Sequence, residues 1–592
     1  MTSLRAIWLV VSRSVRVSPW QSAVCLLETL GTFVTMLEPL FVTWLIVGAV
    51  RHDRAMLVQA VVAFVLSLTV NLFMVIVGNN ARITQYERVG FWFDTEVSRM
   101  TSSLTTLEHL QNPEYLDRTQ VLQDQQGLLG FAFNSVLNTV RNLVLAGGTL
   151  VLALVADPRM LLVVVASIPA VASTRWTTRW QSQMDKDSAE PSRRTKHLLG
   201  LSIEGGSAAE LRVFGAQDWS RDAVERAARS WLDLRAANTV RQSLLQTACS
   251  AFFFAVGALV LAWLLHDAIA GTLGVSEFVL AATLTTRLQE VASRLQWAVN
   301  FLVRVSDNGG RYLWLKSFAE SDRAQHHGRR TPPQRLRHGI STVGLSYTYP
   351  GAEQPTLHEV SLDLPAGAVV ALVGENGAGK STLVGLLTGM LRPTQGRVLA
   401  DGVDLADFDH TAWRTRMSGA FQDYARLELT AQQSIGVGDV PLVEEPAAAH
   451  AALGRASATD VLAALPQGLP TQLGTRWEDG VDLSSGQWQR LAIARGMMRE
   501  EPLLLVLDEP TAALDPSTEH ALFDRYADAA RRAGGRGGVT LLVTHRFSTV
   551  ASADLVVVLD NGRVAEVGTH ADLHARGGHY ADLYELQARG YR

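Results

Sequence analysis

The sequence predicts an α-helical membrane domain of six long transmembrane helices followed by an α/β domain built on a largely parallel sheet. Three observations carry that expectation. The first half of the chain is a series of apolar stretches long enough for the ~20 residues that cross a ~30 Å hydrocarbon core. From about residue 340 onward, short apolar strands alternate with helical patterns. Between the strand-like run Ala368–Val373 and the helix-like run Ser381–Leu391 stands Gly374-Glu-Asn-Gly-Ala-Gly-Lys-Ser-Thr382. It fits the phosphate-binding pattern G-x-x-x-x-G-K-[ST] in the strand–loop–helix context that pattern requires.

Composition sets the bounds. A chain of 592 residues is too long for one core, and 47% hydrophobic residues point to a membrane part joined to a soluble part. A net charge of −4 implies no basic face, so no nucleic-acid partner is expected. Cys25 and Cys249 both lie in apolar stretches, which leaves neither a disulfide framework nor a cysteine metal cluster. Arg5, Arg13 and Arg16 precede an apolar segment in the manner of a secretory signal. That segment continues to about Val50, well beyond the ~7–15 residues of a signal core, and reads as a retained membrane helix.

The apolar spans fall near 22–49, 56–79, 134–156, 159–175, 243–265 and 275–303 and pair into three helical hairpins with short connectors. The longer stretches between hairpins, about 80–133 and 176–242, are polar and read as helical, so the membrane helices are expected to continue beyond the bilayer. Arg175, Arg179, Lys186, Arg193, Arg194, Lys196, Arg212, Arg221 and Arg226 crowd the second of them, whereas the connector 266–274 has no Lys or Arg. The positive-inside rule therefore puts the N-terminus, both long stretches and everything after residue 303 in the cytoplasm of a multi-pass protein of the cell membrane. At Ala156-Asp157-Pro158-Arg159 a turn competes with a single kinked helix, and the turn is required to return the phosphate loop to the ATP-containing side. Glu28, Arg287 and Arg294 are expected on cytoplasmic extensions, meeting water. For Glu38, beside the helix-kinking Pro39, water and a translocation pathway stand as equal alternatives.

Residues 317–339 hold His326-His327-Gly328-Arg329-Arg330 and Thr331-Pro332-Pro333, a polar, proline-stiffened linker. The expected division is 1–316 for the membrane domain, 317–339 for the linker and 340–592 for the soluble domain.

In that soluble domain the loop residues Gly374, Glu375, Asn376, Gly377, Ala378 and Gly379 are expected to curl their N–H groups around a phosphate, aided by the following helix N-terminus. Lys380 supplies a point charge to the outer phosphates, Ser381 a Mg²⁺ ligand, and Thr382 completes the motif. Apart from Lys186, Lys196 and Lys316, Lys380 is the only lysine in a chain that otherwise uses arginine, as fits a place for a compact ammonium. The run Leu503–Leu507 ends in Asp508-Glu509, where Asp508 would hold Mg²⁺ and Glu509 would orient or deprotonate an attacking water. Leu541–Val543 ends in Thr544-His545, a histidine at the mouth of a parallel sheet. Leu483-Ser-Ser-Gly-Gln-Trp-Gln-Arg490 opens a helix and offers either an anion site or an ordinary N-cap.

Taken together these residues resemble the ATP-binding cassette transporters, and within them the exporter-type half-transporters that fuse a membrane domain to an α/β P-loop NTPase domain. The most specific element is the signature Leu483–Gln487, in order between the phosphate loop and Asp508-Glu509. The resemblance implies that Tyr349 stacks on adenine, that Gln422 of Phe421-Gln-Asp-Tyr424 senses Mg²⁺ and the membrane domain, that Asp515 belongs to the D-loop and that His545 is the switch histidine. It also implies that Ser484, Gly486 and Gln487 complete the ATP site of a second cassette. The partner would be a second half-transporter, with a homodimer favoured over a heterodimer. Asn112–Asp117 and Glu210–Gly215 resemble the segments of the two coupling helices, and the tail from His570 through Gln587 also matches. Two departures stand out: Ser485 replaces the usual Gly, and Gly474-Thr-Arg-Trp-Glu-Asp-Gly480 replaces the usual Thr-Glu-Val-Gly-Glu-Arg-Gly. The implied activity is ATP-driven export of a lipophilic or amphipathic cargo, whether small molecule, lipid or peptide, across the lipid bilayer. The alternatives are import on the same fold and a non-pumping ATP-gated regulator.

Overall fold

A computed structural model describes residues 2–590 apart from 32, 34–36, 125, 204, 327, 510–536 and 545–549. The chain divides into two compact units, Met1–Arg99 with Thr119–Lys316, and Met100–Arg118 with Ser317–Arg592.

The first unit is helical. Among the described residues, four helices are long and apolar enough to cross a membrane: Arg54–Ser102, Ala132–Ala156, Met160–Asp187 and Gln217–Ile269. They correspond to the spans anticipated near 56–79, 134–156, 159–175 and 243–265. The anticipated span 275–303 lies within the helix Val275–His326, where Glu277, Arg287, Glu290 and Arg294 dilute its apolar character. Helices of 49, 53 and 52 residues are each about 74–80 Å long at ~1.5 Å per residue, far more than a hydrocarbon core needs. The last of them continues to His326, so the first part of the 317–339 stretch is helical.

Within the anticipated span 22–49 two helices are described, Pro19–Gly31 and Glu38–Val50, the second with Pro39 in its first turn. In one continuous helix that proline would remove a backbone hydrogen bond and clash with the carbonyl four residues earlier, whereas at a helix start it costs nothing. At the other uncertain point the chain turns. Ala132–Ala156 ends at Asp157, whose backbone is extended at φ −164°, and the next helix begins at Met160. Asp157 Oδ1 accepts the Arg159 N–H at 2.7 Å and so caps that turn.

Glu28 does not meet water. It is 5% exposed and ion-paired with Arg82, with Arg141 3.8 Å away, while Arg82 also donates to Asn138 Oδ1 at 3.2 Å. Gly78 makes this possible, since a Cβ there would stand 2.3 Å from Glu28 Cγ. Glu38 pairs with Arg287, and Arg294 with Glu290 at 2.5 Å.

Among the described residues of the second unit, ten strands form two sheets: β1 Gly339–Tyr347, β2 Leu357–Pro365, β3 Val369–Val373, β4 Gln395–Ala400, β5 Val403–Asp404, β6 Met417–Ala420, β7 Leu504–Asp508, β8 Val539–Val543, β9 Leu555–Asp560 and β10 Arg563–Gly568. The antiparallel sheet has the order β2-β1-β4-β5 and the other β10-β9-β3-β8-β7-β6, parallel except at the edge strand β10. Every residue of β3, β7 and β8 is buried, as continuous apolar runs covered on both faces require. The strand bearing Asp508 is not the immediate neighbour of the phosphate-loop strand, because β8 lies between β3 and β7. A separate helical core gathers Ile435, Leu453, Leu473, Trp488, Leu491 and Met498 around the helix Ser485–Gly496.

Candidate nucleotide site

The site grows from the carboxyl ends of β3, β7 and β8, where an open parallel sheet presents its loops to a ligand. Gly374 leaves β3 at φ +153°, and a Cβ there would stand 2.3 Å from the Leu559 carbonyl oxygen. Gly379 caps the helix Lys380–Leu387 in the left-handed region at φ +98°. Lys380 folds back across the loop, its Nζ donating to the carbonyl oxygens of Gly374 at 2.8 Å and Glu375 at 2.9 Å. Burial lowers its pKa, and the charges of Glu509 and Asp508 work in the opposite sense.

Asp508 closes β7 and is 9% exposed. Burial, the neighbouring charge of Glu509 and that of Asp423 push its pKa up to about 6, against the lowering effect of Lys380. Glu509 adopts φ +45°, a left-handed backbone in a non-glycine residue, with its N–H donated to the Val543 carbonyl at 3.0 Å. A left-handed backbone at a non-glycine residue is a strained placement of the kind found at functional sites.

These residues share one cavity of about 950 Å³ lined by Gly374, Glu375, Asn376, Gly377, Gly379, Lys380, Ser381, Thr382, Gln422, Asp508 and Glu509. That volume suits a small-molecule ligand, for which ~300–1,000 Å³ is usual. Ala378 is buried beneath the loop. Tyr349 is tied to the rim: its hydroxyl lies 3.0 Å from Thr382 Oγ1, and its ring meets Tyr347 edge-on at 4.9 Å. The buried carboxylate of Asp508 beside Glu509, Ser381 and Gln422 is an all-oxygen donor set, which fits a hard divalent cation.

Ser484, Gly486 and Gln487 do not line this cavity. Ser484 is the N-cap of the helix Ser485–Gly496 in a complete capping box, its Oγ accepting the Gln487 N–H at 3.3 Å while Gln487 Oε1 accepts the Ser484 N–H at 2.9 Å. His545 and Asp515 lie outside the described residues.

Several participants went unread in the sequence. Leu583 and Leu586 of the helix His579–Gly590 also line the cavity. Within the second unit, the segment before Asn112–Asp117 grips the soluble fold. The Leu107 N–H donates to the Met390 carbonyl at 2.9 Å, the Arg392 N–H to Glu108 Oε1 at 2.9 Å, and Thr105 N–H and Oγ1 to Asp322 Oδ2 at 2.8 and 2.7 Å. In the first unit, Glu210–Gly215 ends a short helix with Val213 and Phe214 81% and 77% exposed.

A family model described as ABC transporter matches residues 357–512, which include the loop, Gln422, the signature and Asp508-Glu509. The ATP-dependent lipid A-core flippase of Pseudomonas aeruginosa is 32% identical over 441 residues, covering 72% of this chain and 68% of that protein. The chain belongs to the ABC transporter family. As in an exporter half-transporter, a helical membrane domain is fused to one ATP-binding cassette, in a multi-pass membrane protein with bacterial relatives. The flippase of the same description from Albidiferax ferrireducens is 29% identical over 79% of this chain and 78% of its own length. That of Burkholderia orbicola is 39% identical over 45% of this chain, and there the match spans only 42% of the relative. Among solved structures, a bacterial Atm1-family ABC exporter with ATP bound superposes with a TM-score of 0.77 at 25% identity, covering 96% of this ABC transporter and 99% of that chain.

Proposed function

We propose that this ABC transporter is one half of a dimeric, ATP-driven exporter, a homodimer, that moves a lipophilic or amphipathic compound out across a bacterial cell membrane. The observation that carries the reading is the separation, within one chain, of the loop cavity from the signature Ser484–Gln487. A single cassette holds both halves of an ATP site but does not bring them together, so a second cassette must supply the signature. Glu509 and the signature are both present, so two identical chains can furnish two working sites. The relatives' description as lipid A-core flippases supports a lipid-like cargo.

In the mechanism, the amides of Gly374–Gly379 and the ammonium of Lys380 hold the β- and γ-phosphates, and Tyr349 stacks on the adenine. Lys380 already sits at the loop mouth, bonded to two carbonyls that a phosphate oxygen can replace. Ser381, Gln422 and Asp508 would hold Mg²⁺, which would supply positive charge to offset that of the phosphates. Glu509 orients the attacking water and accepts its proton, and His545 contacts the γ-phosphate. Ser484 and Gly486 of the second cassette approach that phosphate from the opposite side and stabilise the charge that develops. Closure on ATP and release after hydrolysis pass through the segments at Asn112–Asp117 and Glu210–Gly215 to the membrane helices, giving alternating access.

The test is transport in sealed vesicles with the cassettes outward. A fluorescent anionic lipid should move to the far leaflet only with Mg-ATP, and Glu509→Gln should abolish the movement. Movement toward the cassette side would make the protein an importer. ATP hydrolysis that is stimulated by lipids yet moves none would make it a regulator.

A further inference from the structure

The helix that carries the signature is tied at both of its ends to β6 and the chain that leaves it. At the C-terminal end, Ser418 Oγ donates to the Gly496 carbonyl at 2.5 Å, while the Arg495 guanidinium donates to the carbonyls of Ser434 at 2.8 Å and Ala425 at 3.2 Å. At the N-terminal end, about 16 Å away along a helix of 12 residues, the Tyr424 hydroxyl donates to the Ser485 carbonyl at 2.9 Å. The Tyr424 ring is half-buried against the helical core that holds Leu483 and Trp488, so its hydroxyl is aimed by packing.

Position makes this bond consequential. Two residues before Tyr424 stands Gln422, which lines the phosphate cavity with Asp508 and Glu509. One residue on either side of Ser485 stand Ser484 and Gly486, the groups assigned to a partner's γ-phosphate. The bond thus joins the group reading one nucleotide to the turn serving the other. It uses a backbone carbonyl, so it is indifferent to the Ser485 side chain that replaces the usual glycine.

We propose that Tyr424 is a positioning residue that sets the signature turn relative to Gln422 of the same cassette and so passes the state of one ATP site to the other. This inference rests on the composite-site dimer proposed above. The substitution to examine is Tyr424→Phe, which removes one oxygen and leaves the ring in its apolar seat. Losing one hydrogen bond worth ~0.5–1.5 kcal/mol in the closed state corresponds to a rate loss of about two- to tenfold.

The experiment uses the full-length, lipid-reconstituted protein and compares wild type, Tyr424→Phe and Ser484→Asp. It measures kcat and KM for Mg-ATP hydrolysis, ATP affinity without Mg²⁺, and the unfolding temperature. The expected result is a two- to tenfold fall in kcat for Tyr424→Phe, with ATP affinity unchanged and the unfolding temperature lowered by no more than the few degrees that one hydrogen bond accounts for, and near-complete loss for Ser484→Asp. An unchanged kcat for Tyr424→Phe beside an inactive Ser484→Asp would overturn the role of Tyr424 alone. A fall in unfolding temperature well beyond those few degrees, or a loss of ATP affinity without Mg²⁺ that matches the loss of kcat, would reduce Tyr424 to a packing residue. Full activity in Ser484→Asp would instead overturn the composite site itself.

Discussion

The Lys380 ammonium donates to the Gly374 carbonyl oxygen at 2.8 Å, bridging the mouth of the phosphate loop from its far side. Lys380→Ala should leave the fold intact and cut ATP hydrolysis by roughly 10²–10³-fold, the scale of losing one preorganised charge-stabilising group. Lys380→Arg should not rescue it, because a planar fork does not fit between two carbonyls and a phosphate. Nucleotide titration followed by intrinsic fluorescence, alongside steady-state hydrolysis, checks both.

A pH dependence follows from Asp508, whose pKa is raised to about 6, chiefly by burial and then by Glu509. Above that value the carboxylate is ionised and free to bind a cation, and below it a proton competes. The apparent Mg²⁺ affinity, measured by titration with ATP absent, should therefore fall about tenfold between pH 7 and pH 5. Because the folded value exceeds the ~3.9 of an unfolded aspartate, this group also makes the Mg²⁺-free cassette lose stability as pH rises from about 4 through 6. Asp508→Asn should remove both dependences.

In the membrane unit, Glu28 and Arg82 form a buried pair with side-chain exposures of 6% and 14%. Glu28→Gln would strand Arg82 and Arg141 without their carboxylate, and breaking a buried pair costs about 3–5 kcal/mol. The unfolding temperature in lipid nanodiscs should fall clearly. In Arg294→Gln, whose partner pair is half-exposed, it should move little.

Glu509 holds a left-handed backbone at φ +45°. Glu509→Gly should relieve that strain, stabilising the cassette by about 0.5–1 kcal/mol net of glycine's entropy cost, while abolishing hydrolysis. Chemical denaturation beside an ATPase assay would show stability and activity moving in opposite directions.

What could be read in the sequence was what local pattern encodes. The loop Gly374–Thr382 and the Asp508-Glu509 strand end declare themselves because a short run of backbone needs those residue types in that order. The long membrane helices are legible from hydropathy, but the break before Glu38 is not, since apolar residues continue through it and only Pro39 marks it. The burial of Glu28 depends on Arg82, 54 residues away, and on the close approach at Gly78. Thr105 meets Asp322 across 217 residues, and Tyr424 meets Ser485 across 61. Such pairings leave no periodic trace in a single sequence, and neither does the approach of Leu583 and Leu586 to the nucleotide cavity.

The central claim is that Ser484 acts in the ATP site of a second cassette, although it is absent from the cavity of its own. Ser484→Asp tests it most directly. Aspartate caps a helix as well as serine does, so the signature helix survives, but a carboxylate then faces the partner's γ-phosphate. Hydrolysis of Mg-ATP by the reconstituted protein should fall by about 10² or more with the unfolding temperature and ATP affinity of each cassette unchanged. Wild-type hydrolysis by Ser484→Asp would contradict the composite site, and with it the dimeric exporter.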